Sequence, residues 1–545
     1  MDKPRERRRA TAWARATLGQ SAGEAAVQGA DAPGPAGPGS APHLPVVAAG
    51  RLYRYVSGID REARPMTAQE LAALGDPMAT LLFRHDRFPL TLPDLLASLP
   101  PPATAAQQVY LIGEAGQVPP ATAPGLHRDL RFAIARAVQG RDTDLLISTG
   151  ADADPATTFL QVAAWDPTAR VFNYYMRITP GWVWTGNSWS ALEPGSRGNG
   201  CFDSHVNGSV VMKELKQPWS NWQSQAATIQ LAPDDPLRAN PLYQQLSGAE
   251  NLELTVRALV GRWTAARLAA VTATGTIEHP DRLLRHLFTT TSVNLASTAT
   301  QSSTITPTGA DLPLPAGFWL NTDLLLGAPL ALPVTAGLPL APATHYIDSL
   351  TAFDFHLEEK VSGFSRPGDT FFAFVTPEAA HEDNDVVRQL VQLGIIPAKF
   401  AVCALMVDFT DPVFSADRAQ LMAYVPTTPT PTAALAGRIT QAILSAAARL
   451  PATSPEGRFA AAWALPGTDW PAAFAQRIDA YLTAAAARIR TQDGFFDCVR
   501  LAESRRREFK GMRLNEFDLT LPVTNIPAAE PRLAMLEDAT VIPQP

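Results

Sequence analysis

The sequence predicts a multidomain α+β protein, and three observations lead there. At 545 residues the chain exceeds what one hydrophobic core holds, so two or three domains follow. Residues 144–148, 158–165, 170–177 and 181–184 are β-rich runs separated by turn residues such as Asp166-Pro167-Thr168-Ala169, which reads as a central antiparallel sheet. Toward the C-terminus the period becomes helical, over residues 439–450, 470–491 and a last stretch ending at Glu508.

Residues 1–48 are rich in Ala, Gly, Pro and Arg and lack hydrophobic periodicity. They cannot bury enough apolar surface to offset their ordering entropy, and they read as a disordered arm. Residues 49–290 read as an N-terminal α+β domain. Within it Thr67 opens a capping box with Glu70, and residues 126–139 have the spacing of a helix that stops at Gly140. The sheet follows with an aromatic cluster (Phe159, Trp165, Phe172, Tyr174, Tyr175, Trp182, Trp184, Trp189). Next come a flexible glycine loop at 195–200 and a helical turn at 209–216. Over 251–273, Leu252, Val256, Leu259, Val260 and Trp263 form the apolar stripe of an amphipathic helix.

Residues 291–345 read as an irregular connection rich in Thr, Pro, Leu and Gly. Residues 346–426 read as a small α/β unit, with strand-like 371–375, helical 383–394 ending at Gly394, and strand-like 400–408 in βαβ spacing. The Pro-Thr-Thr-Pro-Thr-Pro stretch at 426–431 reads as a linker, 427–525 as a helical region and 526–545 as a tail.

A net charge of −7 offers no broad basic face, which argues against a nucleic-acid partner. The most apolar run, 325–340, is cut by Pro329, Pro333 and Pro339, so no membrane span is expected. Three cysteines, and arginines near the N-terminus with no apolar stretch behind them, point to a reducing, cytoplasmic setting.

The chemistry concentrates at Cys201-Phe202-Asp203-Ser204-His205, a Cys-x-x-Cys-His haem-attachment pattern whose second cysteine is serine. Around it stand Val-Asn-Gly at 206–208, Met-Lys-Glu-Leu at 212–215 and Pro-Trp at 218–219. Farther on come Arg-Pro-Gly-Asp-Thr-Phe-Phe-Ala-Phe at 366–374 and Arg-Leu-Ala-Glu-Ser-Arg-Arg-Arg at 500–507. This set resembles a group of bacterial cytochrome c-like proteins over most of residues 140–525. The resemblance implies Cys201 as a thioether site and His205 as the axial ligand to iron.

The reading that follows is a cytochrome-c-like redox protein with a degenerate site, its haem non-covalent or held by one thioether. Cys201, His205, Met212 and Trp219 are the expected cofactor-binding residues, with His279 and His286 as further candidate ligands. The tryptophans Trp182, Trp184, Trp189, Trp219 and Trp222 are expected around the pocket. The alternative is a haem-free enzyme in which Cys201 is a nucleophile, His205 a base and Asp203 its orienting carboxylate, acting on a small molecule. A third reading is a non-catalytic scaffold in which Cys201 and His205 are structural.

Other constellations carry milder expectations. Asp354, His356 and Glu358 alternate, with His345 nearby, and fit either metal ligands or the polar face of an edge strand. His381-Glu-Asp-Asn-Asp385 places carboxylates at a helix N-terminus, which suits the helix dipole. Arg505-Arg506-Arg507 reads as a solvated helix face.

Overall fold

The computed structural model describes residues 46–101, 107–113, 118, 126, 128–151, 154–210, 219, 221–299, 301, 305–359, 362–369, 373–511 and 521–544. Most of the arm expected over 1–48 lies outside the described residues. The chain is a multidomain α+β protein of two compact units. The first holds Met1–Met212, Asn221–Ala266 and Leu514–Leu519; the second holds Lys213–Ser220, Arg267–Arg513 and Thr520–Pro545.

The first unit is built on an eight-stranded sheet. Its strands are β1 (Leu52–Arg54), β2 (Arg64–Pro65), β3 (Gln107–Ile112), β4 (Arg131–Arg136), β5 (Leu145–Gly150), β6 (Leu160–Asp166), β7 (Val171–Ile178) and β8 (Gly181–Asn187). From β3 to β8 the pairing is the expected antiparallel meander, in the order β8-β7-β6-β5-β4-β3. β1 then adds parallel to β8, which makes the sheet mixed. Asp166 holds the β6–β7 turn, accepting from the Thr168 and Ala169 amides through Oδ1. The helix expected over 126–139 is instead strand β4. All six of its side chains are buried, so it shows no polar alternation to betray a strand.

Both faces of the sheet are covered. On one, Asn173, Tyr175, Trp182 and Trp184 meet the N-terminal helices. Asp76, which is fully buried, caps Pro77–Leu81 by accepting from the Met78 and Ala79 amides, and it also accepts from Asn173 Nδ2 (2.9 Å) and Tyr175 Oη (2.7 Å). Burial pushes the Asp76 carboxyl up to about 6. The capping box at Thr67 forms as its spacing predicts. On the other face, Phe172 and Tyr174 meet Cys201–His205 and the helix Ala249–Thr272, whose apolar stripe from Leu252 to Trp263 is buried. Arg262 of that helix lies over the Trp165 ring at 4.3 Å.

The second unit is mainly helical, with Leu435–Ala447, Trp470–Arg488 and Gln492–Gly511 close to the predicted helices. Three expectations change. The βαβ piece does not form among the described residues: residues 371–372 lie outside them, the helix forms as His381–Gln392, Thr376–Ala379 pairs antiparallel with Val293–Ala296, and 400–408 begins as the helix Ala398–Leu405. That helix is buried from Phe400 to Leu405, and a short apolar run of this kind carries no period to separate helix from strand. The 426–431 stretch is pinned rather than free, since Thr430–Pro431 pairs with Thr276–Ile277. Finally, Arg505 and Arg506 are buried, not solvated. Arg506 donates to Glu503 through Nε (2.8 Å) and Nη2 (2.5 Å), and Nη1 reaches the carbonyls of Ala373 (3.0 Å) and Val375 (2.9 Å). A buried guanidinium survives because its fork is filled by a carboxylate and carbonyls.

Candidate functional site

The Cys201 motif follows β8 and lies against the centre of the sheet. Gly200–Asp203 is a single 3₁₀ turn, and the His205 amide donates to the Cys201 carbonyl. The glycine loop before it is not loose. A Cβ at Gly195 would lie 2.7 Å from the Gly58 carbonyl oxygen, so the two backbones touch directly. Gly208, with φ +76°, closes the turn from the other side, where a Cβ would lie 2.3 Å from the Ser188 carbonyl oxygen. At both ends of the motif, then, backbone from another segment leaves no room for a side chain.

Cys201 and His205 are both half-buried, while Phe202 and Ser204 are buried. His205 Nδ1 lies 3.0 Å from the Ser209 carbonyl oxygen, and its ring stands 5.1 Å from that of Tyr174, tilted by 30°. Tyr174 donates its hydroxyl to the same Ser209 carbonyl at 3.1 Å. Thr185 Oγ1 lies 3.1 Å from the Tyr174 carbonyl oxygen and 3.3 Å from Cys201 Sγ. A hydroxyl has one proton, so Thr185 donates to the Tyr174 carbonyl or to Cys201 Sγ, one at a time. Burial pushes the Cys201 thiol up to about 11.

The structure brings Cys201, Asp203 and His205 onto one turn and corrects several roles around them. His205 Nδ1 lies against the Ser209 carbonyl. Asp203 adds to the upward push on the Cys201 thiol. Met212 lies outside the described residues. Trp219, buried and left-handed at φ +46°, belongs to the second unit. Trp182 and Trp184 turn to the opposite sheet face, where their indoles donate to the Pro89 carbonyl and to Asn173 Oδ1. Trp189 packs edge-on against Trp263, whose indole donates to the Asn207 carbonyl beside the motif. Nothing in sequence spacing marked Tyr174, Thr185 or Ser209, because their roles come from a strand and a turn meeting in space.

The second unit holds a sealed polar network. His286 Nδ1 lies 2.7 Å from Asp383 Oδ1, and Nε2 lies 3.0 Å from Arg267 Nη1. Asp383 also accepts from the Thr291 and Ser292 amides at 3.0 and 3.3 Å and from the Thr291 hydroxyl. His286, offered by the sequence as a haem ligand, therefore has both nitrogens engaged. Burial holds its imidazolium below the usual range. His279 is exposed at the head of Pro280–Phe288.

All five residues from His381 to Asp385 are buried. Asp354, His356 and Glu358 do not gather a site. Asp354 turns left-handed at φ +49° before the exposed hairpin, and His345 bonds instead to the Arg490 carbonyl. Among the described residues, no three His, Cys, Asp or Glu side chains are placed to hold a metal ion. Among them, too, no helix is long and apolar enough to cross a membrane. The chain matches no protein-family model, no curated protein and no solved structure.

Proposed function

We propose that the chain is a cytochrome-c-like redox protein whose haem site is reduced to Cys201 and His205, with haem held non-covalently or by one thioether. The supporting observation is the anchoring of His205 Nδ1 on the Ser209 carbonyl. A carbonyl only accepts, so Nδ1 carries a proton, and a backbone anchor of this kind orients a histidine that ligates through its other nitrogen. Cys201 offers the sulfur for a single thioether, and Ser204 has none for a second. Bound at this turn, haem would supply one-electron chemistry. The protein's own part is to orient the imidazole between the Ser209 carbonyl and the Tyr174 ring.

Titrating the purified chain with haemin tests this. A Soret band that shifts and sharpens with wild type, and does not do so with His205→Ala, is the expected result. No Soret change with the wild-type chain overturns the reading. In the haem-free alternative Cys201 is the nucleophile and His205 the base, with burial pushing the Cys201 thiol up.

A further inference from the structure

We propose that Tyr174 is a positioning residue that tunes His205 through the acceptor they share, an inference that rests on His205 serving as a ligand. Tyr174 is 3% exposed and stands in the centre of β7, so its place is set by the sheet rather than by the motif turn. Three contacts tie it to the motif. Its hydroxyl and His205 Nδ1 converge on the Ser209 carbonyl at 3.1 and 3.0 Å. Its ring faces the imidazole at 5.1 Å and meets the edge of Phe202 at 5.5 Å and 89°. Its own carbonyl accepts from Thr185, which in turn touches Cys201 Sγ.

A carbonyl oxygen has two lone pairs and can hold two donors. Each donor draws electron density from the oxygen, so each weakens the other's bond. The phenol therefore loosens the Nδ1–H bond of His205 and leaves Nε2 less electron-rich than a singly bonded carbonyl would. Partners of this kind set both the orientation and the basicity of a ligating histidine. The ring does the second half of the work, fixing the tilt of the imidazole by stacking.

Two substitutions separate the halves. Tyr174→Phe keeps the ring and removes the competing donor, whereas Tyr174→Leu removes both. The readout is the Nδ1–H proton resonance of His205 in the histidine-labelled full chain without haem, assigned by its loss in His205→Ala. In Tyr174→Phe that resonance is expected to move downfield, with haemin bound at least as tightly as by wild type. In Tyr174→Leu the resonance broadens and haemin affinity falls on the order of tenfold. A resonance unmoved by Tyr174→Phe, in a chain that still folds, overturns the proposal and leaves Tyr174 a core residue only. The resonance reports on Tyr174 alone, while wild-type haemin binding reports on the redox reading, so the two can fail separately.

Discussion

His205 and His286 are both held at Nδ1, the first by a backbone carbonyl and the second by the Asp383 carboxylate. Beyond that atom they differ. The His286 side chain is 1% exposed and its Nε2 meets a buried guanidinium, so the ring joins a carboxylate to an arginine inside a core. His205 is half-buried on a short turn and stacked on a tyrosine. Histidine identity and even Nδ1 anchoring therefore do not mark a working site. What separates them is the anchoring: His286 is held between a buried carboxylate and a buried guanidinium, whereas His205 Nδ1 rests on a backbone carbonyl beside a tyrosine ring.

That contrast breaks first at Asp383. Asp383→Ala strands His286 Nδ1, the Thr291 hydroxyl and two amides in a dry core, and chemical denaturation is expected to show a loss of about 3–5 kcal/mol. A loss under about 1 kcal/mol would mean the network is not sealed. Gly208→Ala comes next, at about 1–3 kcal/mol, because an alanine must take a left-handed backbone and meet the Ser188 carbonyl. Since only the motif turn should loosen, haemin response should weaken with it.

Asp76 asks whether a sealed group behaves alike in the first unit. Its carboxyl rises from 3.8 to about 6, burial being the main cause. A group whose folded value is raised contributes its stability below the unfolded value and loses it as pH rises through the folded one. Wild type should therefore lose stability relative to Asp76→Asn, which retains a capping oxygen, between pH 4 and pH 7. Urea midpoints at pH 5 and pH 7 check this, and the opposite trend removes Asp76 from the sealed class. The smallest effect belongs to His205→Ala, at no more than about 1 kcal/mol, the usual value of one hydrogen bond. An equal loss at His205 and Asp383 would erase the comparison.

The sheet was legible where strands had one polar neighbour and a marked turn, as from β5 to β8. It was illegible at β4, whose arginine-flanked apolar run falls in helical spacing; β7 and β8 are as buried but stand between marked turns. The run at 400–408 failed in the reverse direction for the same lack of alternation. Arg505 and Arg506 deceived because charge predicts exposure only when no carbonyls wait inside, and these partners lie over ninety residues away in sequence. At the site, the turn bearing Cys201 and His205 was visible as a motif. Its chemistry was not, since the groups that set it (Ser209, Tyr174, Thr185) are ordinary residues.

The parallel pairing of β1 with β8 carries a consequence for the order in which the molecule is made. β1 leaves the ribosome long before its partner strand, and Gly58, which braces the glycine loop, follows β1 directly. Joining segments so distant demands a long loop closure, a slow event relative to hairpins that zip locally. The β5–β8 meander can assemble as soon as it is synthesised, but the brace under the Cys201 turn arrives only when the earliest segment returns. The turn is thus braced by one of the earliest described segments, and it is complete only when β1 and β8 are both in place.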